Sequence, residues 1–456
     1  MKTVLDTKQI GEVLTRGVEK IYPDKKTLEE KLLSGKRIKL YCGYDPSGPS
    51  LHLGHMITLR KLGEFQKLGH EVIMLVGDFT GMIGDPTDKM ATRKKLTREE
   101  VIKNSKNYKK IASKFLSFSG QNPAKILYNS KWQDKLSFKD LIELASNFTV
   151  QQMLNRDMFE KRFYGEVQCQ YCSNVFAHKT QDVFYPSNQD FEEGTMGVKY
   201  ILGICPKCQK QNNQPRIISL QKPIYLHEFL YPLAQAYDSV VMDVDLEVGG
   251  NDQVFNMLRG RDLLKALRNK EKCVLGLKLL IDSEGKKMGK SEGNMVELDE
   301  LSNQMFGKIM SWSDSLIIPG LELLTEVSEL EIKDIEDKIK NNNLNPKEAK
   351  TRLAKEIIKL CHSEKEAQES EKEFNKIHRD KELPSEIETI AIPEDRILLI
   401  DIASPAIINS RSEARRIIEQ GGIKINGEVQ NDWKKEIPNK KGKIIQVGKR
   451  IFKKII

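Results

Sequence analysis

The spacing of apolar positions changes several times along the chain, and the changes mark its elements. Arg37–Tyr44 (RIKLYCGY) and Glu71–Phe79 (EVIMLVGDF) are short, near-continuous apolar runs, the pattern of strands in a parallel sheet covered on both faces. Between them a turn, Asp45-Pro46-Ser47-Gly48-Pro49, leads into a helical pattern from about Leu51 to Leu68. Strand, helix and strand of these lengths predict a βαβ unit. A mostly helical stretch follows from Thr97 to Phe163. Then comes a polar, weakly periodic segment, Gly165 to Arg216, that carries four cysteines. Helix–strand alternation resumes near Ile224, with a strand expected over Cys273–Ile281. Leu298–Arg379 reads as charged helices, and Glu382–Asp395, with two prolines and several acids, reads as a linker. The expected fold class is α/β, a Rossmann-like doubly wound parallel sheet. It is split into residues 1–164 and 217–297 by an insertion over 165–216. A helical domain over 298–381, a linker over 382–395 and a small α+β domain over 396–456 follow.

Composition narrows this picture. The chain has 456 residues, room for about three domains. At 39% hydrophobic and 30% charged residues it reads as globular, with real cores. No run of 18 apolar residues occurs, so no membrane span is expected. The segment MKTVLDTKQIGEVLTRG has no continuous apolar stretch, so no secretory signal is expected either. Seven cysteines, an odd number, do not look like a disulfide framework, and the expected location is cytoplasmic. Most of the formal charge of +9 lies in Asp401–Ile456, which holds 13 basic and 6 acidic residues. That asymmetry fits either a nucleic-acid-binding appendage or a solvated lysine-rich tail.

His52-Leu53-Gly54-His55 stands where the first helix should begin. A helix N-terminus presents unpaired N–H groups and partial positive charge, which suits phosphate. His52 and His55, three apart, share a face there, and Gly54 allows a flat base to approach the backbone. The plain alternative is two surface histidines and a packing glycine. Far downstream, Lys287-Met288-Gly289-Lys290-Ser291 follows a turn. Two lysines on such a loop suit a triphosphate and its leaving pyrophosphate; an exposed basic loop is the alternative. HxGH followed by KMxKS is much more specific than either string alone.

The pair resembles the signature of class I aminoacyl-tRNA synthetases, and the surrounding strings resemble the tyrosyl-tRNA synthetase family. These strings are YCGYDPSGPSLHLGH, GDFTGMIGDPT, YPLAQAYD, GGNDQ and KMGKS, in that order. The third position of the lysine loop, usually serine in that family, is Gly289 here, and Asn251 stands where serine or threonine is usual. The resemblance implies an ATP site of Asp45, Gly54, Thr58, Asp252, Gln253, Lys287, Met288, Lys290 and Ser291, with magnesium accompanying ATP. It implies catalytic roles for His52, His55, Lys287, Lys290, Lys89 and Arg93, and a supporting role for Asn129 and Trp132. Tyr231, Gln235 and Asp238, spaced i, i+4 and i+7, share one helix face. In the family such residues hold tyrosine: Tyr41 and Asp238 at its hydroxyl, Tyr231, Gln235 and Asp85 around its ammonium group, Thr80 on the same wall. It further implies that residues 298–381 bind the tRNA anticodon, that tRNA(Tyr), tyrosine and ATP are the partners, and that the chain is a homodimer with a helix near Leu226 at the interface.

Two features stand beside that resemblance. Cys169-x-x-Cys172 and Cys205-x-x-Cys208 are separated by 32 residues, and four thiolates in two such knuckles suit a structural zinc ion. A redox pair or two unliganded knuckles are the alternatives, and most tyrosyl enzymes lack this insertion. Ser410–Ile418 followed by Gly421–Glu428 reads as a basic helix, a glycine stop and a hairpin strand. It is similar to the RNA-binding module named after a ribosomal small-subunit protein, with Arg411, Arg415 and Lys424 as phosphate contacts. The rival readings are a tryptophanyl-tRNA synthetase, a small-molecule nucleotidyltransferase, and a non-enzymatic RNA-binding protein on a synthetase scaffold.

Overall fold

The computed structural model describes residues 2–85, 96–177, 203–205, 207–212, 216–219, 223–282, 295–379, 383, 387–393, 398–403, 410–438, 441–448 and 451–456. The chain divides into two units, Met1–Asp299 with Ile318–Ile332, and Glu300–Ile317 with Lys333–Ile456.

In the first unit the strands are β1 (Val18–Tyr22), β2 (Lys39–Tyr44), β3 (Glu71–Val76) and β4 (Lys125–Tyr128). The insertion holds β5 (Glu166–Gln168), β6 (Val175–Ala177), β7 (Gly203–Ile204), β8 (Gln211–Asn212) and β9 (Arg216–Ser219), and β10 (Leu246–Gly250) and β11 (Cys273–Leu277) follow. Six strands form one sheet in the order β1-β11-β10-β2-β3-β4. Every neighbouring pair is parallel except β1 with β11. From β2 the chain winds outward through β3 and β4; from β10 it winds the other way to β11. The order therefore reverses between β2 and β10, and the crevice beyond their carboxyl ends is where such sheets place ligands. Val72–Val76 and all of β11 are buried, which is why these strands read as unbroken apolar runs.

The strands are shorter than their apolar patterns. β3 stops at Val76 because the Gly77 N–H bonds the Tyr44 carbonyl and the Asp78 N–H turns back to Val76. β11 stops at Leu277 rather than Ile281. β4 lies inside the stretch expected to be helical: four residues, KILY, are too few to show a period, and only pairing with β3 makes them a strand. The antiparallel edge strand β1 was likewise invisible in the pattern.

The crossover helix Leu53–Lys67 buries Met56, Leu59, Leu62 and Phe65. In the insertion, β5 pairs antiparallel with β6 and β9, and β7 with β8. The helix Asp157–Tyr164 leads into it. Within that helix Arg162 forms a buried ion pair with Glu228 of the helix Leu226–Met242.

In the second unit the helices Ser302–Met310, Pro346–Cys361 and Glu364–His378 pack on one another. Asn345 caps the second, with Pro346 in its first turn, and Ser363 caps the third. The C-terminal sheet runs in the order β12-β16-β15-β13-β14, with β12 at Glu388–Ile390, β13 at Ile423–Ile425, β14 at Glu428–Gln430, β15 at Ile444–Val447 and β16 at Ile451–Ile455. Its core is Leu399, Ile402, Ala414, Ile418, Ile423, Ile445 and Ile455. β12 corrects the linker reading of 382–395: it pairs with β16, and Ile390 and Ile392 pack against this core. The prolines and acids around it masked a three-residue strand that exists only through its partner.

A Cβ built on Gly63 would stand 2.6 Å from the Phe115 carbonyl oxygen, whereas one on Gly11 meets nothing within 4 Å. Gly63→Ala should therefore destabilise the first unit by about 1–3 kcal/mol. Gly11→Ala, inside the helix Thr7–Val13, should stabilise it by about 0.5–1 kcal/mol. Urea unfolding of the two variants beside the parent chain measures both signs.

Candidate active site

The site begins where β2 ends. His52 is the N-cap of the crossover helix: its Nδ1 accepts the Gly54 N–H at 3.0 Å, and the His55 Nδ1 accepts the His52 N–H at 3.2 Å. The two rings lie 3.9 Å apart, centroid to centroid. With both Nδ1 atoms accepting, the proton of each neutral imidazole sits on Nε2. Gly54 makes the arrangement possible in a way the sequence did not show: a Cβ there would come within 2.8 Å of the His52 ring. Thr58, one turn on, is buried, with its hydroxyl on the His55 carbonyl and the Tyr44 hydroxyl, both at 2.9 Å.

Asp45, just past β2, accepts from the Thr80 hydroxyl at 2.6 Å and the Tyr231 hydroxyl at 2.8 Å. Burial pushes its pKa up to about 7, with Asp85 and Asp78 adding to the rise and the two hydroxyls opposing it. Gly77 is required here, because a Cβ would collide with the Asp45 carboxylate and the Thr80 hydroxyl. Asp85 accepts from Arg156 at 2.8 Å and from the Gln253 amide at 2.7 Å. Gln253, placed in the ATP site by resemblance, and Asp85, placed at the ammonium group, are thus direct partners. Asp252 lies beside them in the turn Asn251–Gln253.

Asp238 is buried, and its carboxylate accepts from Trp132 Nε1 at 2.7 Å, Gln133 Nε2 at 2.8 Å and Asn129 Nδ2 at 3.2 Å. Asn129 also donates to the Thr80 hydroxyl, so it joins the Asp238 and Asp45 groups. Burial raises the Asp238 pKa to about 7 against the pull of these three donors. Tyr41 bonds Ser239, not Asp238, at 2.9 Å. Ser239 in turn accepts from Lys272 at 2.8 Å and reaches Glu247 at 3.3 Å. Lys272 and Glu247 form an ion pair, 0% and 2% exposed. Gln235 donates from Nε2 to Glu247 at 3.0 Å, and its Oε1 is a buried acceptor with no partner among the described residues.

Sequence reasoning missed Ser239, Glu247, Lys272, Arg156, Gln133 and Gly77. Glu247 alone left a signal, as a carboxylate inside an apolar strand; Lys272 was hidden in the charged run NKEK.

Lys287, Met288, Lys290, Ser291, Lys89 and Arg93 lie outside the described residues. The flank of the lysine loop does not. Leu53 N–H bonds the Val296 carbonyl at 3.0 Å, Leu298 N–H bonds the Leu51 carbonyl at 2.8 Å, and His52 faces Glu297 in an antiparallel bridge. This pins the chain leaving the loop to the start of the histidine helix.

The four cysteines of the insertion converge, with all sulfur atoms within 4.8 Å of one another. Cys169–Cys208 and Cys172–Cys205 are 3.7 and 3.6 Å apart, close to the ~3.8 Å edge of a tetrahedron of thiolates around zinc. The knuckles repeat one geometry: Ser173 and Gln209, each following the second cysteine, have φ of 57°. In the C-terminal domain Arg411 is paired with Asp401. Arg415 is paired with Glu419 and lies over Trp433, and Lys424 sits on β13.

The profile of the family described as tRNA synthetases class I (W and Y) matches residues 33–172 and 204–379, and that of the S4 domain matches 407–437. The tyrosine–tRNA ligase of Carboxydothermus hydrogenoformans is 40% identical over 98% of this chain and 97% of its own. That of Haemophilus influenzae is 38% identical over 97% and 95%. The chain belongs to the tyrosine–tRNA ligase family. Solved structures agree on the fold. A truncated mitochondrial tyrosyl-tRNA synthetase from Aspergillus nidulans superposes with a TM-score of 0.57 at 18% identity, over 81% of this chain and 93% of that one. The enzyme from Archaeoglobus fulgidus complexed with L-tyrosine gives 0.54 at 19%, over 80% and 100%. The class I profile leaves residues 173–203 unmatched, the segment between the two cysteine knuckles.

The raised pKa of Asp238 has a measurable consequence. A folded state that holds a proton the unfolded chain releases loses stability as pH rises from the unfolded value, 3.8, to about 7, and no further above it. Asp238→Asn removes that titration. The stability of the variant relative to the parent should rise across this window and level off beyond it, read from urea unfolding at stepped pH. A flat difference would place the Asp238 pKa at its ordinary value.

Proposed function

We propose that the chain activates tyrosine with ATP, releasing pyrophosphate, and passes the tyrosyl group to the 3′ end of tRNA(Tyr). The observation that carries this reading is the backbone pairing of Leu51–Leu53 with Val296–Leu298. It sets the HLGH helix start and the flank of the KMGKS loop together, in the same unit as the hydrogen-bonded carboxylates Asp45, Asp85 and Asp238. Tyrosine's carboxylate attacks the α-phosphate, so no side-chain nucleophile is required. Positioning and charge stabilisation supply the rate. His52 and His55 point Nε2–H donors at the phosphates, Lys287 and Lys290 close over the leaving pyrophosphate, and Lys89 and Arg93 assist. Asp252 contacts the ribose. Magnesium, carried with ATP, offsets phosphate charge.

The amino-acid pocket follows from hydrogen-bond polarity. Ser239 accepts from Lys272 and lies within donor reach of Glu247, so Tyr41 donates its proton to Ser239 and keeps its oxygen as an acceptor. Asp238 Oδ2 holds one donor, Asn129, and has a lone pair left. Either acceptor suits the single O–H donor of a phenol. The unpartnered Gln235 Oε1 suits the ammonium group, with Tyr231 and Asp85 nearby. An indole N–H fits the same acceptors; the relatives at 36–40% identity, named tyrosine–tRNA ligases, favour tyrosine.

Arg411, Arg415 and Lys424 meet RNA phosphate, and the helices of 298–381 bind the anticodon region. The chain works as a cytoplasmic homodimer; Leu226, 82% exposed at the start of its helix, fits an interface. The four cysteines hold one zinc ion. All four tetrahedral positions are thiolate, so the ion serves folding of the insertion and not the reaction.

Amino-acid-dependent pyrophosphate exchange should be fastest with tyrosine, and tryptophan and phenylalanine should trail well behind. A chain ending at Lys381, ahead of β12, should keep this exchange and lose tRNA charging roughly tenfold or more, in a salt-dependent way. Exchange driven equally well by tryptophan would overturn the tyrosine assignment.

Elemental analysis of chain purified without chelator should find one zinc per chain, and Cys205→Ser should lose it. Zinc well below that in the parent would refute the site.

A further inference from the structure

Beneath the amino-acid pocket lies an ion pair that the reaction itself does not use. Lys272 precedes β11, Glu247 sits in β10, and neither side chain reaches water. Burying such a pair costs several kcal/mol in desolvation, and the fold makes room for it. A Cβ on Gly260, in the helix Val254–Arg268, would stand 2.5 Å from the Lys272 nitrogen and 2.7 Å from the Ser239 hydroxyl. A hydrophobic pair would fill that space more cheaply. The charges have an effect that an apolar pair would not have.

An ionised carboxylate only accepts hydrogen bonds. Glu247 Oε1 faces the Gln235 amide at 3.0 Å. The amide atom turned toward it must therefore be nitrogen, and the oxygen is forced to the other side. That oxygen is the buried acceptor without a partner among the described residues, and buried polar atoms in folded proteins are nearly always paired. Lys272 pairs with Glu247 by direct contact, and its bond to Ser239 ties the same pair to Tyr41.

We propose that Glu247, charged by Lys272, is a positioning residue that locks the Gln235 amide with its oxygen outward and so creates the acceptor for the ammonium group of the amino-acid substrate. This rests on the reading that the pocket binds tyrosine. Glu247→Gln inverts the arrangement. The new side chain keeps its oxygen on Lys272 and Ser239 and turns its NH2 toward Gln235. The Gln235 amide then flips and presents N–H groups to a cation.

The test compares two ligands on the full chain: tyrosine and 3-(4-hydroxyphenyl)propionate, which is tyrosine without its amino group. Both have the same phenol, so the ratio of their affinities, measured by calorimetry, isolates the ammonium contact. Glu247→Gln should lower the preference for tyrosine by about tenfold or more, the worth of a hydrogen bond to a charged group. In a Gln235→Ala background the same substitution should lower it no further. Should the unpaired Lys272 prevent folding, Glu247→Leu with Lys272→Met removes both charges and the acceptor that orients the Gln235 amide, and a loss of preference is expected. A preference that survives in the variant, or that drops again in the Gln235→Ala background, overturns the proposal. A parent chain that does not prefer tyrosine over its deamino analogue overturns the tyrosine reading itself.

Discussion

Burial of carboxylates at the carboxyl edge of a parallel sheet is the constraint on which the site depends. An unpaired carboxylate out of water costs far more than any single contact returns. Asp45, Asp238 and Glu247 each meet that demand differently. Two hydroxyls hold Asp45, three N–H donors hold Asp238, and an ammonium holds Glu247. The first two remain costly to ionise, as their pKa values of about 7 record. The packing around them is constrained in turn. Gly77 and Gly260 are glycines because the carboxylate networks occupy the space a side chain would take.

These networks share members, so the site residues form one connected network. Asn129 joins Asp238 to Thr80, and Asp45 joins Thr80 to Tyr231. Arg156 and Gln253 hold Asp85 at the same edge. Arg156 stands directly before the helix that leads into the cysteine insertion, and Arg162 of that helix is tied to Glu228 in the Tyr231 helix. The insertion is thereby attached to Asp85 and to the Tyr231 helix through two buried guanidinium groups.

Two modules are made by pairing rather than by composition. The insertion has short strands and four sulfurs that converge within 4.8 Å of one another, a donor set that fits a metal ion. The C-terminal domain closes its five-stranded sheet with β12, taken from the segment that precedes it.

The βαβ start, the order of the signature strings, the cysteine knuckles and the basic C-terminal helix were all legible along the chain. Each of these is written in local period, local spacing or local charge. Local spacing also placed Tyr231, Gln235 and Asp238 on one helix face, because a helix face is a local property. Which groups meet was settled by the packing of distant elements. Tyr41 bonds Ser239 and not Asp238, Gln253 bonds Asp85, and Lys272 pairs with Glu247. The short strands β4 and β12 exist through distant partners. The physical reason is common to all of them: hydrogen-bond satisfaction of buried groups is settled between elements far apart in the chain, and no local pattern carries that information.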